Sequence, residues 1–205
     1  MGQFLRLPVR GGRAIWMENE AMAADKKEAL VGKAMELFAK GGYTAIGIDR
    51  ILAEAGVAKM TLYKYFPSKT DLILEVLVRR DDYFRNSLMA AAERKKSTAA
   101  KIQALFTWHE EWFRRDDFNG CMFINAAAEF HERDSPIHQV AARHKQLIVD
   151  YIEGVLKDEY GARARKLARQ INMLLDGAID AAHVIGNPNA AAEAWEAAKS
   201  LLGRS

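Results

Sequence analysis

Proline is scarce in this 205-residue chain, with four residues, and runs of β-branched residues are scarcer. Little therefore interrupts helices, and abundant alanine favours them. Cysteine occurs once, as Cys121, which excludes an intrachain disulfide and points to a reducing compartment. No apolar run is long enough to span a bilayer. The first eight residues are apolar but short, and Arg6, Arg10 and Arg13 break up the stretch that follows, which does not read as a signal peptide. A cytoplasmic protein without membrane contact is expected. Motifs for chemistry are missing as well. There is no HExxH, no paired Glu-x-x-His, no phosphate-binding glycine loop and no GxSxG. Glu110, Glu111, Glu129, His131, Glu132, His138 and His144 supply acids and imidazoles, but at no spacing that makes a site. An enzyme is not expected, nor a catalytic residue, a bound metal or a cofactor.

What is present is ample material for a core, since half the residues are hydrophobic. The net charge of +3 is less informative than its distribution. Between Lys26 and Arg80 there are ten Lys and Arg against six Asp and Glu. From Asp81 onward the acids slightly exceed the bases. A polyanionic partner for the basic part fits this bias, although such an excess is common on helical subdomains.

Residues 1–24 lack sustained periodicity, and Gly11-Gly12 with scattered arginines suggests a flexible arm. A helical pattern begins at Asp25, an N-cap with Glu28 three residues on. Ala29, Leu30, Ala34, Leu37 and Phe38 line one face, and Gly41-Gly42 stops the helix. Two short helices follow, over 48–55 and 59–65, ended by Gly56 and Pro67. The Ser68-Lys69-Thr70-Asp71 capping box opens a long helix to about residue 92. Further helices are expected over 97–115, 120–130, 135–159, 167–185 and 190–202. Ser135-Pro136 provides an N-cap and a proline at the first helical position. The expected class is all-α, with about nine helices. Residues 25–72 form a three-helix N-terminal helix-turn-helix domain, and 73–205 a helical-bundle regulatory and dimerisation domain.

Two short helices joined by a glycine turn read DNA when the second enters the major groove. Gly56 permits the left-handed conformation that ends the first. Val57 and Leu62 bury the apolar side, and Ala53 is small where the helices should meet. The second helix, KMTLYKY, turns Leu62 inward. Lys59, Thr61, Tyr63, Lys64 and Tyr65 then present hydroxyls and ammonium groups suited to phosphates and base edges. The plainer alternative is a surface helix with half-buried aromatics. Lys69 stands in the first turn of the next helix, where free amides and a lysine can hold a phosphate.

The segment LFAKGGYTAIGIDRILAEAGVAKMTLYKYFPSKTDLILEVL closely resembles the DNA-binding segment of the TetR family. The matching marks include Gly42-Tyr43, Ala55-Gly56-Val57, Thr61-Leu62-Tyr63, Tyr65-Phe66 and Ser68-Lys69. The resemblance implies a homodimer on a palindromic double-stranded operator, usually a repressor released by a small ligand. It places Lys59, Thr61, Tyr63, Lys64 and Tyr65 on the recognition helix and Lys69 at a phosphate-contacting helix start. Three positions depart from the family pattern. Ala58 replaces a capping Ser or Thr, at a cost of about 1 kcal/mol. Gly47 replaces a phosphate-touching Ser or Thr, which shifts reliance to Arg50, Lys64 and Lys69. Met60 is bulkier than the usual residue.

The remainder is less explicit. GCMFINAAAEF, followed by SPIHQVAARHK, resembles one common subgroup of the family. Phe84, Trp108, Trp112 and Phe123, with Asn125 and His131 as polar groups, are candidates for an effector pocket in the middle helices; the same aromatics serve equally well as core. Cys121 follows Gly120 at a helix N-terminus, a position that can activate a thiol toward oxidants or electrophiles, or it is a small buried residue. The last two helices are candidates for the dimer interface through Leu167, Ile171, Leu174, Leu175 and Ala178, and through Trp195, Ala198, Leu201 and Leu202. Packing within the subunit is the alternative.

Overall fold

Alanine- and leucine-rich segments with few breakers fold as the periodicities direct, and no strand occurs among the described residues. The computed structural model describes the backbone of residues 12–203 and the side chains from residue 25 to 203. Nine α-helices occur among them: α1 (Gly12–Gly41), α2 (Ile48–Ala55), α3 (Lys59–Tyr65), α4 (Lys69–Glu93), α5 (Thr98–Phe113), α6 (Met122–Glu129), α7 (Pro136–Tyr160), α8 (Ala164–Asp180) and α9 (Ala190–Leu202).

Helix α1 differs from expectation at its start. It is already helical from Gly12, so Asp25 lies within it rather than capping it. The residues ahead of Asp25 are largely alanine, methionine and glutamate, good helix formers across which the helix propagates. The rest of the expected arm, residues 1–11, lies outside the described residues. At its other end α1 stops as expected: Gly42 takes φ 77°, and its amide donates to the Phe38 carbonyl at 3.0 Å.

Other boundaries follow the caps. Ser68 and Asp71 form a reciprocal capping box at α4, and the Ser97 hydroxyl accepts from the Ala100 amide at α5. Pro136 occupies the start of α7, although Ser135 makes no side-chain cap. The helix expected over 167–185 starts earlier and changes character. After α8 a π-helical turn over Ala181–Ile185 carries the chain to Gly186, whose φ is 77°.

Helix α4 joins the two parts of the molecule. Its beginning packs on α1 in the head, and its later turns pack on α5 and α7 in the body. Phe38, Tyr43, Ile51, Leu62 and Leu72 fill the head. Leu88, Ile102, Phe106, Phe123 and Ile152 fill the body, and the two sets form one continuous apolar cluster. No helix among the described residues is long and apolar enough to cross a membrane.

Candidate nucleic-acid interface

Helix α3 has only seven residues and cannot persist alone. Leu62 is fully buried and Val57 nearly so, and together with Ile51 and Leu52 of α2 they hold α3 against the head. Gly56 makes the turn with φ 64°. Ala53, expected between the two helices, is exposed instead; Ala55 is the partly buried alanine of α2. Eight-residue α2 rotates the 53 position outward when Ile51 and Leu52 face in.

The opposite side of α3 faces solvent. Lys59, Met60, Tyr63 and Lys64 are exposed, Met60 by 82%. Thr61 and Tyr65 are half-buried, and the Lys64 ammonium lies 5.8 Å from the centre of the Tyr65 ring. No acidic residue occurs in α3. Nearby cations are loosely held: Arg50 donates to Glu54 at 2.9 Å and Lys59 to Asp49 at 3.4 Å, both on exposed surface. Such pairs are weak and screened by salt, so phosphates can displace the acids. Gly47 and Ala58, the positions that depart from the family pattern, cap α2 and α3 without any side-chain hydrogen bond.

Lys69, expected at a phosphate-contacting helix start, stands in the first turn of α4. It is half-buried, and its ammonium donates to the Thr44 carbonyl at 3.2 Å. Burial lowers its pKa, with the Glu129 carboxylate opposing. Glu129 itself is a contact that sequence reading missed. From α6 in the body it accepts from the Tyr43 amide at 2.9 Å and from the Thr44 amide and hydroxyl, each at 2.6 Å. Burial alone would raise the Glu129 carboxyl, but these donors bring it below its ordinary value. Tyr43 adds a second tie, its buried hydroxyl donating to the Met122 carbonyl at 2.9 Å. The end of α6 thus holds the loop between α1 and α2. Partners 79 to 86 residues apart leave no local signal.

The aromatic residues expected to line an effector pocket pack closely on one another. Phe84, Trp108 and Trp112 pack edge-to-face or tilted around buried His109, with ring centres 4.7 to 5.9 Å apart. Phe123 stacks on His144 at 3.6 Å. The void bordered by Phe84, His109, Cys121, His144 and Lys145 measures about 10 Å³, too small for an organic effector. His131 is exposed and Asn125 only partly buried; neither borders that void. Cys121 stands at the N-cap position of α6 without a side-chain cap and is buried, bordering the same void as Lys145. No cluster of His, Cys, Asp or Glu able to hold a metal occurs among the described residues.

A three-helix head holding out a polar-tipped, acid-free second helix, carried on a helical body, defines a DNA-binding regulator of the helix-turn-helix class. The comparisons agree. Residues 30–76 match the family described as bacterial regulatory proteins of the tetR family, and residues 98–198 match the tetracyclin repressor-like C-terminal domain. A TetR-family transcriptional regulator from Streptomyces coelicolor superposes with a TM-score of 0.82 and 30% identity, covering 87% of this chain and 95% of that one. The transcriptional activator FasR of Mycolicibacterium smegmatis is 34% identical over 90 residues, which are 42% of this chain and 41% of the activator. The regulator YuxN of Bacillus subtilis is 24% identical over 154 residues, which are 75% of this chain and 52% of YuxN. The chain therefore spans about half, or less, of those two relatives. This chain belongs to the TetR family and is a DNA-binding transcriptional regulator, in a family of generally non-enzymatic proteins.

Proposed function

We propose that this regulator is a ligand-released repressor that acts in the cytoplasm as a homodimer on a palindromic operator. The observation that carries the reading is the outward face of α3, where Lys59, Met60, Tyr63 and Lys64 stand exposed on a helix held by Leu62. Two such helices, about one helical turn of DNA apart, would enter successive major grooves. Lys64 and Lys59 neutralise phosphates, Thr61 and Tyr63 reach base edges, and Met60 offers an apolar contact to a thymine methyl. Arg50 adds a backbone contact once Glu54 yields it. Lys69 acts indirectly, by fixing the Thr44 carbonyl and so the loop that leads into α2.

Release requires two states whose balance an effector shifts. Glu129 and Tyr43 supply the mechanical link in this reading, since any displacement of α6 is transmitted to the loop between α1 and α2. The second tie, α4, runs from head to body as one helix.

Gel-shift titration with the DNA upstream of the regulator's own gene tests the proposal. The full chain should shift it, and Lys64→Ala should weaken binding while lowering the slope of log affinity against log salt by about one. Equal affinity and equal slope in the variant would remove α3 from the interface.

A further inference from the structure

Arg80 is the feature that the DNA-binding reading leaves unused. It sits half-buried on α4 between head and body, and burial lowers its pKa. Its guanidinium lies 5.9 Å from the Tyr83 ring and 5.7 Å from the Trp112 ring. Among the described residues it makes no hydrogen bond and no salt bridge, although a guanidinium carries five donors. Aromatic faces compensate part of the lost hydration. The Arg80 donors are unpaired among the described residues but keep contact with solvent, so an anion entering from solvent can reach them.

Those donors border a cleft of about 210 Å³ between α1, α4 and the start of α6. Met35 and Ala39 of α1 and Met122 of α6 supply apolar wall, and Gly32 leaves it open, since a Cβ there would meet nothing within 4 Å. Two carboxylates also line the cleft, and both are engaged. Glu36 accepts from Lys33 and Lys40, and Asp117 accepts from Arg115 through both oxygens at 2.8 and 2.9 Å. Asp117 acts on Arg80 through space only.

We propose that this cleft binds a small organic monocarboxylate, its carboxylate on Arg80 and its apolar part along Met35, Ala39 and Met122, and that this molecule is the effector. The assignment rests on the ligand-released reading above. A planar guanidinium fits a carboxylate through two parallel hydrogen bonds. A cleft of about 210 Å³ admits a small acid of the size of hexanoate or benzoate. A dianion such as phosphate would meet the fields of Glu36 and Asp117 and find no use for the apolar wall. Occupancy wedges α1 of the head against α4 and α6 of the body. That is the junction where Glu129 and Tyr43 already tie the head down.

Isothermal titration calorimetry of the full chain, without DNA, decides the site. Hexanoate should bind saturably, and hexanamide and inorganic phosphate at least tenfold more weakly. Arg80→Gln should lose hexanoate at least tenfold. Gly32→Leu, which fills the cleft from a helical position with open space and leaves Arg80 in place, should lose it too at an unchanged unfolding temperature. Equal binding of hexanamide, retention of binding in both variants, or no saturable binding of hexanoate would overturn the site. Operator titration of the unliganded protein stands apart and tests only the DNA reading. Hexanoate that binds through Arg80 yet leaves operator affinity unchanged would overturn its role as effector while sparing the DNA-binding reading.

Discussion

His109 is enclosed by Phe84, Trp108, Trp112 and Phe113 and is 2% exposed. Its Nδ1–H donates to the Leu105 carbonyl at 2.8 Å, the tautomer that a carbonyl partner demands. Burial pushes its pKa down to about 4, with the Leu105 carbonyl opposing. The folded state therefore holds a neutral imidazole where the unfolded chain takes up a proton near pH 6.5. Its effect on stability is absent above that pH and grows as pH falls, reaching a loss of about 3 kcal/mol near pH 4. Asp81 extends the acid sensitivity lower. Burial would raise its carboxyl, but hydrogen bonds from His144 and Arg85 bring it to about 2, so that contribution is lost only as pH falls from 3.8 toward 2. Urea melts at pH 7 and pH 4 should show a smaller drop in stability for His109→Phe than for the parent, by about 3 kcal/mol. The same drop in both proteins would reject His109 as the acid-sensitive group.

Among the elements, α6 carries the most consequence for its eight residues. Its Glu129 closes on two backbone amides and a hydroxyl of the loop between α1 and α2, and that loop sets the approach of α2 and α3. Hydrogen bonds to a charged acceptor stabilise more than neutral ones, but partial exposure brings this set down to about 1 kcal/mol. Glu129→Gln keeps the size and removes the charge. Amide exchange at Tyr43 and Thr44 should then accelerate about fivefold, with the global unfolding temperature little changed. Unchanged exchange at both amides would mean that the body does not hold the head through this contact. The same element shows where sequence reading stops. Helix α3, its buried Leu62 and its exposed lysines are legible because spacing within seven residues decides which side faces in. Glu129 reads as one acid among several, because its partners lie 85 and 86 residues away.

At the scale of the whole molecule, part of the apolar face expected to join two subunits is used inside one, while Leu174, Trp195, Leu201 and Leu202 stay partly exposed. Leu167, Ile171, Leu175, Ala178 and Ala198 are buried in the subunit's own core. Helix α8 packs on both α7 and α9, so its broad apolar face has neighbours on two sides. What remains outward near the end of the chain is Met173 at 63%, Val184 at 71% and Ile185 at 78% exposed. If the subunits pair through α8 and α9, Met173 is the exposed apolar residue that α8 offers to that contact. Met173→Glu would place like charges opposite each other there. Sedimentation velocity at micromolar concentration should show a shift from dimer to monomer, and operator affinity should fall at least tenfold. A variant that remains dimeric would move the interface elsewhere on the subunit.

By itself the sequence determined the helical class, the head with its glycine turn, and the polar face of α3. Each depends on neighbours a few residues apart, whose spacing sets both backbone and orientation. Tertiary structure alone decided that Lys69 turns back to Thr44, that Glu129 clasps the head, that the aromatic cluster closes on itself, and that Arg80 borders an open cleft. Those outcomes depend on how helices distant in sequence pack, because a side chain's role there is set by which partner reaches it first.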